Sequence, residues 1–329
     1  MKRTNISVFI PHIGCPHRCS FCDQRSISGA AHAPSPEEVS ALLEEQAPHL
    51  VERGMQAEIA FFGGSFTAVP RDYMTSLLEC AHSAVHKYPE VYVGIRCSTR
   101  PDCVDGEIIA LLKKYGMTAV ELGAQSMSDE VLQMNGRGHS AEDVRQASRL
   151  IRESGISLGL QMMTGLYGDT EEYVRRTCRE FIALKPDTVR VYPTVILKHT
   201  RLGKLFESGE YRSFGFEQTV DLCAELLRDF TAAGIRVIRM GLHASQEVER
   251  EMLGGVYHPA FREIVESRLF LNDMKQKLLA MDRGHYVIYT DSRNISRAVG
   301  QKRSNIAALH GLGYDVEVKP LDGAYIEVR

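Results

Sequence analysis

Long apolar runs are missing from this 329-residue sequence: no stretch of about 18 apolar residues occurs, so no membrane-spanning helix is expected. The first residues, MKRTNISVFIPHIGC, also lack the apolar core and cleavage site of a signal peptide, which predicts a cytoplasmic location. An excess of positive charge is missing as well. The net charge of -3 argues against strong nonspecific binding to nucleic acid, but it is compatible with a local basic patch.

A disulfide framework is not expected either, because cysteines in the cytoplasm are normally kept reduced. The chain has 8 cysteines, and three of them, Cys15, Cys19 and Cys22, cluster in GCPHRCSFC. The other five are scattered and are expected to be small buried apolar side chains: Cys80, Cys97, Cys103, Cys178 and Cys223. Only the clustered three therefore suggest a metal site.

The clustered cysteines lack the second C-x-x-C pair that a structural zinc site usually has. Three thiolates in one loop can hold an iron–sulfur cluster whose fourth iron stays open to an outside ligand. Positive charge on His17 and Arg18 would favour the thiolates. Zinc remains the alternative, with His12 or His17 as a fourth ligand.

The fold class follows from an alternation of short β-branched runs with amphipathic segments, which predicts a parallel α/β sheet. The predicted strands are 5–11, 57–64, 91–99, 118–126, 156–165 and 187–196. Ser35, Pro36 and Glu38 predict the start of the first helix. Either an open doubly wound sheet or a full or partial TIM-like barrel fits. Polar stretches after each of the first four strands (GCPHRC, GGSFT, STRPD, GAQS) favour the barrel, whose strand ends share one mouth.

The motif C-x-x-x-C-x-x-C after a first strand, with Phe21 before its last cysteine and FFGGSFT at the next strand end, resembles the radical S-adenosylmethionine (SAM) superfamily over residues 5–245. The resemblance implies a partial (β/α)6 barrel, a 4Fe-4S cluster on the three cysteines, and SAM on the open iron. It also implies reductive cleavage of SAM to a 5′-deoxyadenosyl radical, with a low-potential electron donor such as ferredoxin or flavodoxin.

The same resemblance assigns SAM contacts to residues at successive strand ends, where a residue without a Cβ lets the backbone approach closely. They are Phe21 and Met163 near the adenine, Gly63 and Gly64 near the methionine amino group with Ser65 beside them, Ser98 and Arg100 near the methionine carboxylate or ribose, and Gln125 on the ribose side.

Within the superfamily, five segments are similar to the radical SAM domain of the Elongator catalytic subunit and its bacterial relatives: STRPD, VELGAQS, GRGHS, LQMMTGLYGDT and VRVYPTVILKHTRLGKLFESGEYRSF. Those enzymes modify the wobble uridine of tRNA with acetyl-CoA, which implies an RNA substrate, most plausibly tRNA. Here the first cysteine gap is shorter, and only about 85 residues follow the barrel where those enzymes carry an acetyltransferase domain. We therefore do not carry acetyl-CoA use over.

Two other functions remain open. VFIPHIGC and FFGGSFT loosely resemble the oxygen-independent coproporphyrinogen oxidases, which indicates a porphyrinogen or another small molecule as an alternative substrate. A heme or cluster chaperone with the same barrel is the non-enzymatic alternative. Tyr192 and Lys198, in VYPTVILKHT, are the candidate catalytic residues for substrate contact or proton transfer, although a polar exit from a strand explains them equally well.

The C-terminal residues 284–329 alternate strand, helix, turn, helix, strand and resemble a KH-type RNA-binding unit, joined to the barrel (1–245) by a helical connector at 246–283. AVGQKRSNIAAL stands where a KH unit has its G-x-x-G clamp. Gly300 matches the first glycine, while Arg303 replaces the second. With Arg297 and Lys302 these residues are the candidate RNA contacts, the alternative being a small cap with a solvated basic helix.

The cluster assignment predicts that anaerobic reconstitution gives about four irons per chain and a broad absorption band, because a cubane cluster holds four irons. Changing Cys19→Ala removes one of three ligands and should abolish both signals, measured by iron analysis and visible spectroscopy. Cys80→Ala, which changes a scattered cysteine, is the matched control and should leave them intact. Retention of zinc without iron uptake would contradict the assignment.

Overall fold

The computed structural model describes residues 2–10, 15, 19–23 and 32–329. The strands of this part are β1 (Lys2–Ile10), β2 (Met55–Gly63), β3 (Tyr92–Thr99), β4 (Met117–Gln125), β5 (Ser157–Thr164), β6 (Thr188–Pro193), β7 (Val195–Leu197), β8 (Arg236–Met240), β9 (Met252–Gly255), β10 (His285–Thr290), β11 (Asp315–Pro320) and β12 (Glu327–Val328). Five of the six predicted strands are found with ends shifted by three residues or fewer, and the sixth, 187–196, is broken in two.

The helices of the described part lie between these strands. They are α1 (Pro36–Glu52), α2 (Arg71–Lys87), α3 (Gly106–Lys114), α4 (Asp129–Met134), α5 (Ala141–Glu153), α6 (Glu171–Leu184), α7 (Arg201–Glu207), α8 (Phe216–Ala232), α9 (Gln246–Glu251), α10 (Phe261–Leu278), α11 (Ile295–Val299) and α12 (Ser304–Gly311). None of them is long and apolar enough to cross a membrane, within the residues that were described.

The start of α1 shows how local sequence sets these boundaries. Ser35 Oγ accepts a hydrogen bond from the backbone N–H of Glu38, and the Glu38 carboxylate accepts one from the backbone N–H of Ser35. Pro36 follows as the first helical residue, where its missing N–H costs nothing. The predicted capping box is confirmed.

The main sheet has seven strands in the order β1-β2-β3-β4-β5-β6-β8, and all neighbouring pairs are parallel. A doubly wound sheet would reverse its order at a switch point, whereas here each new strand joins the same edge. Within the described residues β1 and β8 do not pair with each other. The architecture is therefore a partial TIM-like barrel, with one more strand than the (β/α)6 expectation.

The barrel wall is apolar on the side that faces the helices. Ile59 and Phe61 of β2 and Leu122 of β4 are fully buried in the main core, together with Leu43 and Leu77 of α1 and α2. Burying side chains of this size stabilises the fold by roughly 1.5–3 kcal/mol each. Parallel strands covered by helices on this face explain the nearly continuous apolar runs in the sequence.

The expectation of one strand over 187–196 was wrong. β6 ends at Pro193, and Val195–Leu197 pairs antiparallel with β9 in a separate two-stranded ribbon. Gly255 of this ribbon has φ of +88°, and a Cβ there would lie 2.3 Å from the carbonyl oxygen of Thr194. The break therefore depends on a long-range pairing with a glycine, which the run DTVRVYPTVI does not encode.

The C-terminal unit is built on a second sheet, in the order β11-β10-β12, with β10 and β11 parallel. Its chain order of strand, two helices and strand agrees with the prediction. Helix α10 joins the unit to the barrel: Phe261 and Val265 belong to the main core, while Met274 and Leu278 belong to the second core. The connector also contains β9, which was not expected from the sequence.

Asn305 connects this unit to α10 by hydrogen bonds. Its side chain is buried, and Nδ2 lies 3.0 Å from the Ser267 carbonyl oxygen, 3.1 Å from Ser267 Oγ, and 3.1 Å from the carbonyl oxygens of Arg297 and Ala298. Only an amide donor of this size satisfies several acceptors at once.

Changing Asn305→Asp keeps the shape but removes the donor, so it should lower the free energy of unfolding by about 3 kcal/mol, measured by urea denaturation. Gln301→Glu, the same amide-to-acid change at an exposed position, should shift it by less than about 0.5 kcal/mol. Equal stabilities of the two variants would show that Asn305 does not hold the unit in place.

Candidate functional site

The three clustered cysteines follow β1 and are partly buried free thiols. Burial, and then the charges of Cys19 and Cys15, raise the pKa of the Cys22 thiol to about 12. Burial also raises the pKa of Cys15. Mutual effects of this kind require the thiols to be near neighbours. His12, His17 and Arg18, considered above as a ligand or a source of charge, lie outside the described residues.

Two arginines face the thiols. Arg137 Nη1 donates a hydrogen bond to Cys19 Sγ at 2.9 Å, and its guanidinium lies 6.0 Å from the centre of the Phe21 ring. Arg100 forms a fork with Asp102, at 2.9 and 2.7 Å, and also donates to the Arg137 carbonyl oxygen. Both positive charges oppose the rise in the Cys15 pKa. The Arg100 side chain thus supports the Arg137 loop, in addition to its predicted role as a SAM contact.

The glycines at the end of β2 are required by the backbone. Gly63 has φ of +110°, and a Cβ there would lie 2.8 Å from the Ile10 carbonyl oxygen. The N–H of Gly64 donates to that same oxygen at 2.8 Å. Next to them, the backbone N–H of Ser65 faces the Cys15 thiol and acts to lower its pKa, against the effect of burial. The segment predicted to hold SAM and the segment predicted to hold the cluster are therefore in direct contact.

Side chains at the following strand ends form contacts on both faces of the barrel wall, because successive residues of a strand point to opposite faces. Ser65 Oγ lies 2.8 Å from Thr99 Oγ1, and Ser98 Oγ accepts from Gln161 Nε2 at 3.3 Å. Met163 is two residues beyond Gln161, so both project from one face of β5. Ser98 and Met163 therefore lie on the face of the wall that carries Gln161, whereas the Ser65 side chain is buried against Thr99 on the other face.

Gln125, at the end of β4, has φ of +68°, a conformation that costs a non-glycine residue about 1–2 kcal/mol. Its Oε1 atom is buried and has no hydrogen-bond partner among the described residues. A buried amide oxygen without a partner is unfavourable unless a ligand supplies a donor. Gln125 therefore fits its predicted role as a polar contact for a bound molecule.

A network of charged side chains inside the barrel was not predicted from the sequence. Glu121, of which 1% is exposed, accepts from Arg96 Nη2 at 2.7 Å, Arg190 Nη2 at 2.8 Å and Gln161 Nε2 at 3.0 Å. Arg96 Nη1 also pairs with Glu58 Oε2 at 2.7 Å. Although burial opposes it, the Glu121 charge raises the pKa of Arg190. The sequence does contain a signal for this network, because β2, β3, β4 and β6 each hold a single charged residue.

The two candidate catalytic residues are not brought together. Tyr192 is two residues beyond Arg190 on β6, and its hydroxyl oxygen lies 3.5 Å from Arg190 Nη1, next to the charged network. Lys198 Nζ instead donates to the Arg250 carbonyl oxygen at 3.1 Å, beside the β7–β9 ribbon. Neither role is tested by this geometry, and both stay predictions.

Two family models cover most of the chain. The radical SAM superfamily matches residues 9–181, and the radical SAM C-terminal domain matches residues 186–270. The chain belongs to the radical SAM superfamily. It is therefore an enzyme of the family that uses a 4Fe-4S cluster and SAM, and its partial barrel is the fold expected for that family.

This radical SAM protein is similar to Elongator complex protein 3 of Mus musculus, with 28% identity over 68% of this chain and 43% of that one. It is 27% identical to a tRNA uridine(34) acetyltransferase of Methanocaldococcus infernus, over 66% of this chain and 48% of the other. The chain thus spans less than half the length of these two relatives. A solved structure of Elp3 from Methanocaldococcus infernus shares the fold, with a TM-score of 0.65, 20% identity, and 86% and 65% of the two chains covered.

The described residues fit the family's cofactors by their chemistry: three thiols in one segment that affect one another's pKa, two arginines beside them, and the buried unpaired oxygen of Gln125. Among the described side chains no three His, Cys, Asp or Glu residues lie close enough to hold a single metal ion. The cysteines as cluster ligands, and the listed strand-end residues as SAM contacts, stay predictions. When bound, the reduced cluster and SAM supply a 5′-deoxyadenosyl radical.

Burial of His139 predicts that the stability of the protein depends on pH. Burial, and then the Arg137 charge, lower its pKa to about 4, while Nε2 donates to the Ala124 carbonyl oxygen at 3.1 Å. Between pH 6.5 and pH 4 this histidine takes up a proton in the unfolded chain but not in the folded one. The free energy of unfolding is therefore highest above pH 6.5 and decreases as the pH falls towards 4. The loss should reach about 3 kcal/mol, measured by urea denaturation of the iron-free chain.

The His139→Gln variant keeps a donor for Ala124 but cannot take up a proton, so its stability should fall less between pH 7 and pH 5. His310→Gln, at an exposed position, is the matched control and should keep the wild-type slope. Identical slopes in all three proteins would contradict the assignment.

Proposed function

We propose that this radical SAM enzyme acts on RNA, and specifically on tRNA. The observation that carries the proposal is the similarity to a tRNA uridine(34) acetyltransferase and to Elongator complex protein 3, which spans about two thirds of this chain. Because the chain spans less than half of those relatives, acetyl-CoA use is not part of the proposal.

A second, independent support is the turn between α11 and α12 in the C-terminal unit. Gly300 has φ of +78°, and a Cβ there would meet Ser304 Oγ at 2.5 Å and the Asn305 backbone N at 2.9 Å. Lys302 and Arg303 also have positive φ, 49° and 62°. Two consecutive strained non-glycine residues in an exposed turn suggest a binding role, since such strain concentrates at functional sites.

The charges around this turn divide the predicted RNA contacts into two groups. Arg297 pairs with Glu266 at 2.8 Å, and the neighbouring Arg293 pairs with Asp291 at 2.9 Å. Lys302 and Arg303 are exposed and have no ion-pair partner in the part of the chain that is described. The phosphate contacts are therefore assigned to Lys302 and Arg303, while Gly300 allows the turn to pack closely on Ser304 and Asn305.

RNA crosslinked to the protein in cells and then sequenced should be dominated by tRNA. Replacing both residues, Lys302→Glu with Arg303→Glu, should lower RNA recovery at least about tenfold, because two phosphate contacts become repulsive. The slope of log affinity against log salt concentration, measured with purified tRNA, should also become less steep by about two, because two phosphate contacts are lost.

The double change Lys113→Glu with Lys114→Glu on the outer surface of α3 alters the charge equally and is the matched control. RNA recovery should then stay at the wild-type level. Recovery of no RNA class above background, or binding of heme or a porphyrinogen without RNA, would contradict the proposal and favour the small-molecule alternative.

A further inference from the structure

One serine holds the cysteine segment in place. Ser20 lies between two of the clustered cysteines, and 1% of it is exposed. Its backbone N–H donates to the Asn135 carbonyl oxygen at 2.9 Å, and its carbonyl oxygen accepts from the Leu202 N–H at 2.7 Å. Its hydroxyl donates to Asn135 Oδ1 at 2.6 Å. All the polar groups of this residue therefore reach other parts of the fold.

The side chain of Asn135, the partner of Ser20, also uses both of its polar atoms in hydrogen bonds. It is fully buried, and its Nδ2 donates two hydrogen bonds of 2.8 Å, to the carbonyl oxygens of Val131 and Tyr167. The side chain thus accepts once and donates twice, which an amide can do and a carboxylate cannot. Removing the side chain would leave the Tyr167 carbonyl oxygen and the Ser20 hydroxyl without these partners, while the Val131 carbonyl oxygen would keep its bond from the backbone N–H of residue 135.

These bonds join segments that are far apart in sequence. Val131 belongs to α4 after β4, Tyr167 belongs to the loop after β5, and Leu202 belongs to α7 after β6 and β7. The cysteine segment itself follows β1. Ser20 and Asn135 therefore tie one side of the barrel mouth to the other. Phe21 adds to this by packing with Ile196, Leu202 and Tyr211.

We propose that Ser20 and Asn135 are positioning residues that fix the Cys19–Cys22 turn in a conformation ready for the cluster. A segment held in this way loses little conformational freedom on binding iron, whereas an unanchored one would have to be ordered by the metal. Residues that orient metal ligands typically change affinity by roughly 10- to 100-fold when they are replaced. The inference does not depend on which substrate the enzyme modifies.

The test compares iron retention in the reconstituted full-length protein, measured anaerobically as the rate of iron release to a chelator and as the EPR spectrum of the reduced cluster. Ser20→Ala removes only the hydroxyl bond, while Asn135→Asp removes both amide donors. Both variants should release iron at least about tenfold faster than wild type and give broader, heterogeneous spectra.

Asn305→Asp is the matched control, because it removes a buried amide donor of the same kind in the C-terminal unit. It should destabilise the chain but release iron within about twofold of the wild-type rate. If Asn135→Asp does not fold, Ser20→Ala decides the question. Wild-type release rates and spectra in a folded Ser20→Ala protein would overturn the proposal, as would a wild-type chain that takes up no iron.

Discussion

The parallel alignment of the barrel strands is the constraint on which the rest of the structure depends. Because each strand joins the same edge of the sheet in chain order, the segments that follow them all meet at one rim. Ser65 after β2 can therefore contact Cys15 after β1, and Arg137 after β4 can reach Cys19. Residues more than a hundred positions apart thereby become neighbours.

The interior of the same barrel contains a network of charged side chains, and this network is connected to the rim by hydrogen bonds. Glu121 satisfies Arg96 and Arg190 at once, so that none of these buried charges is left alone, a condition that would cost several kcal/mol. Gln161 bridges this network to Ser98 near the rim. The geometry of the candidate SAM contacts is therefore linked to an ion cluster deeper in the barrel.

The sequence predicted the features that are encoded locally. Strand and helix positions follow from short-range patterns, and the capping box at Ser35 needs only four residues. The need for glycine at position 63 and the grouping of the strand ends also follow from general rules. Contacts that depend on tertiary structure were beyond its reach. The bond from Arg100 to the Arg137 carbonyl oxygen, the break after Pro193, and the bond from Ser20 to Asn135 across 115 positions depend on how distant segments meet.

Helix α10 has a consequence for how the two parts of the chain could cooperate. It contributes to both hydrophobic cores and spans 18 residues, which is about 27 Å of continuous helix. Because Asn305 bonds to Ser267 near the start of the helix, the C-terminal unit packs along α10 and is not attached by a flexible linker. A ligand bound to this unit would therefore stand at a fixed position relative to the barrel.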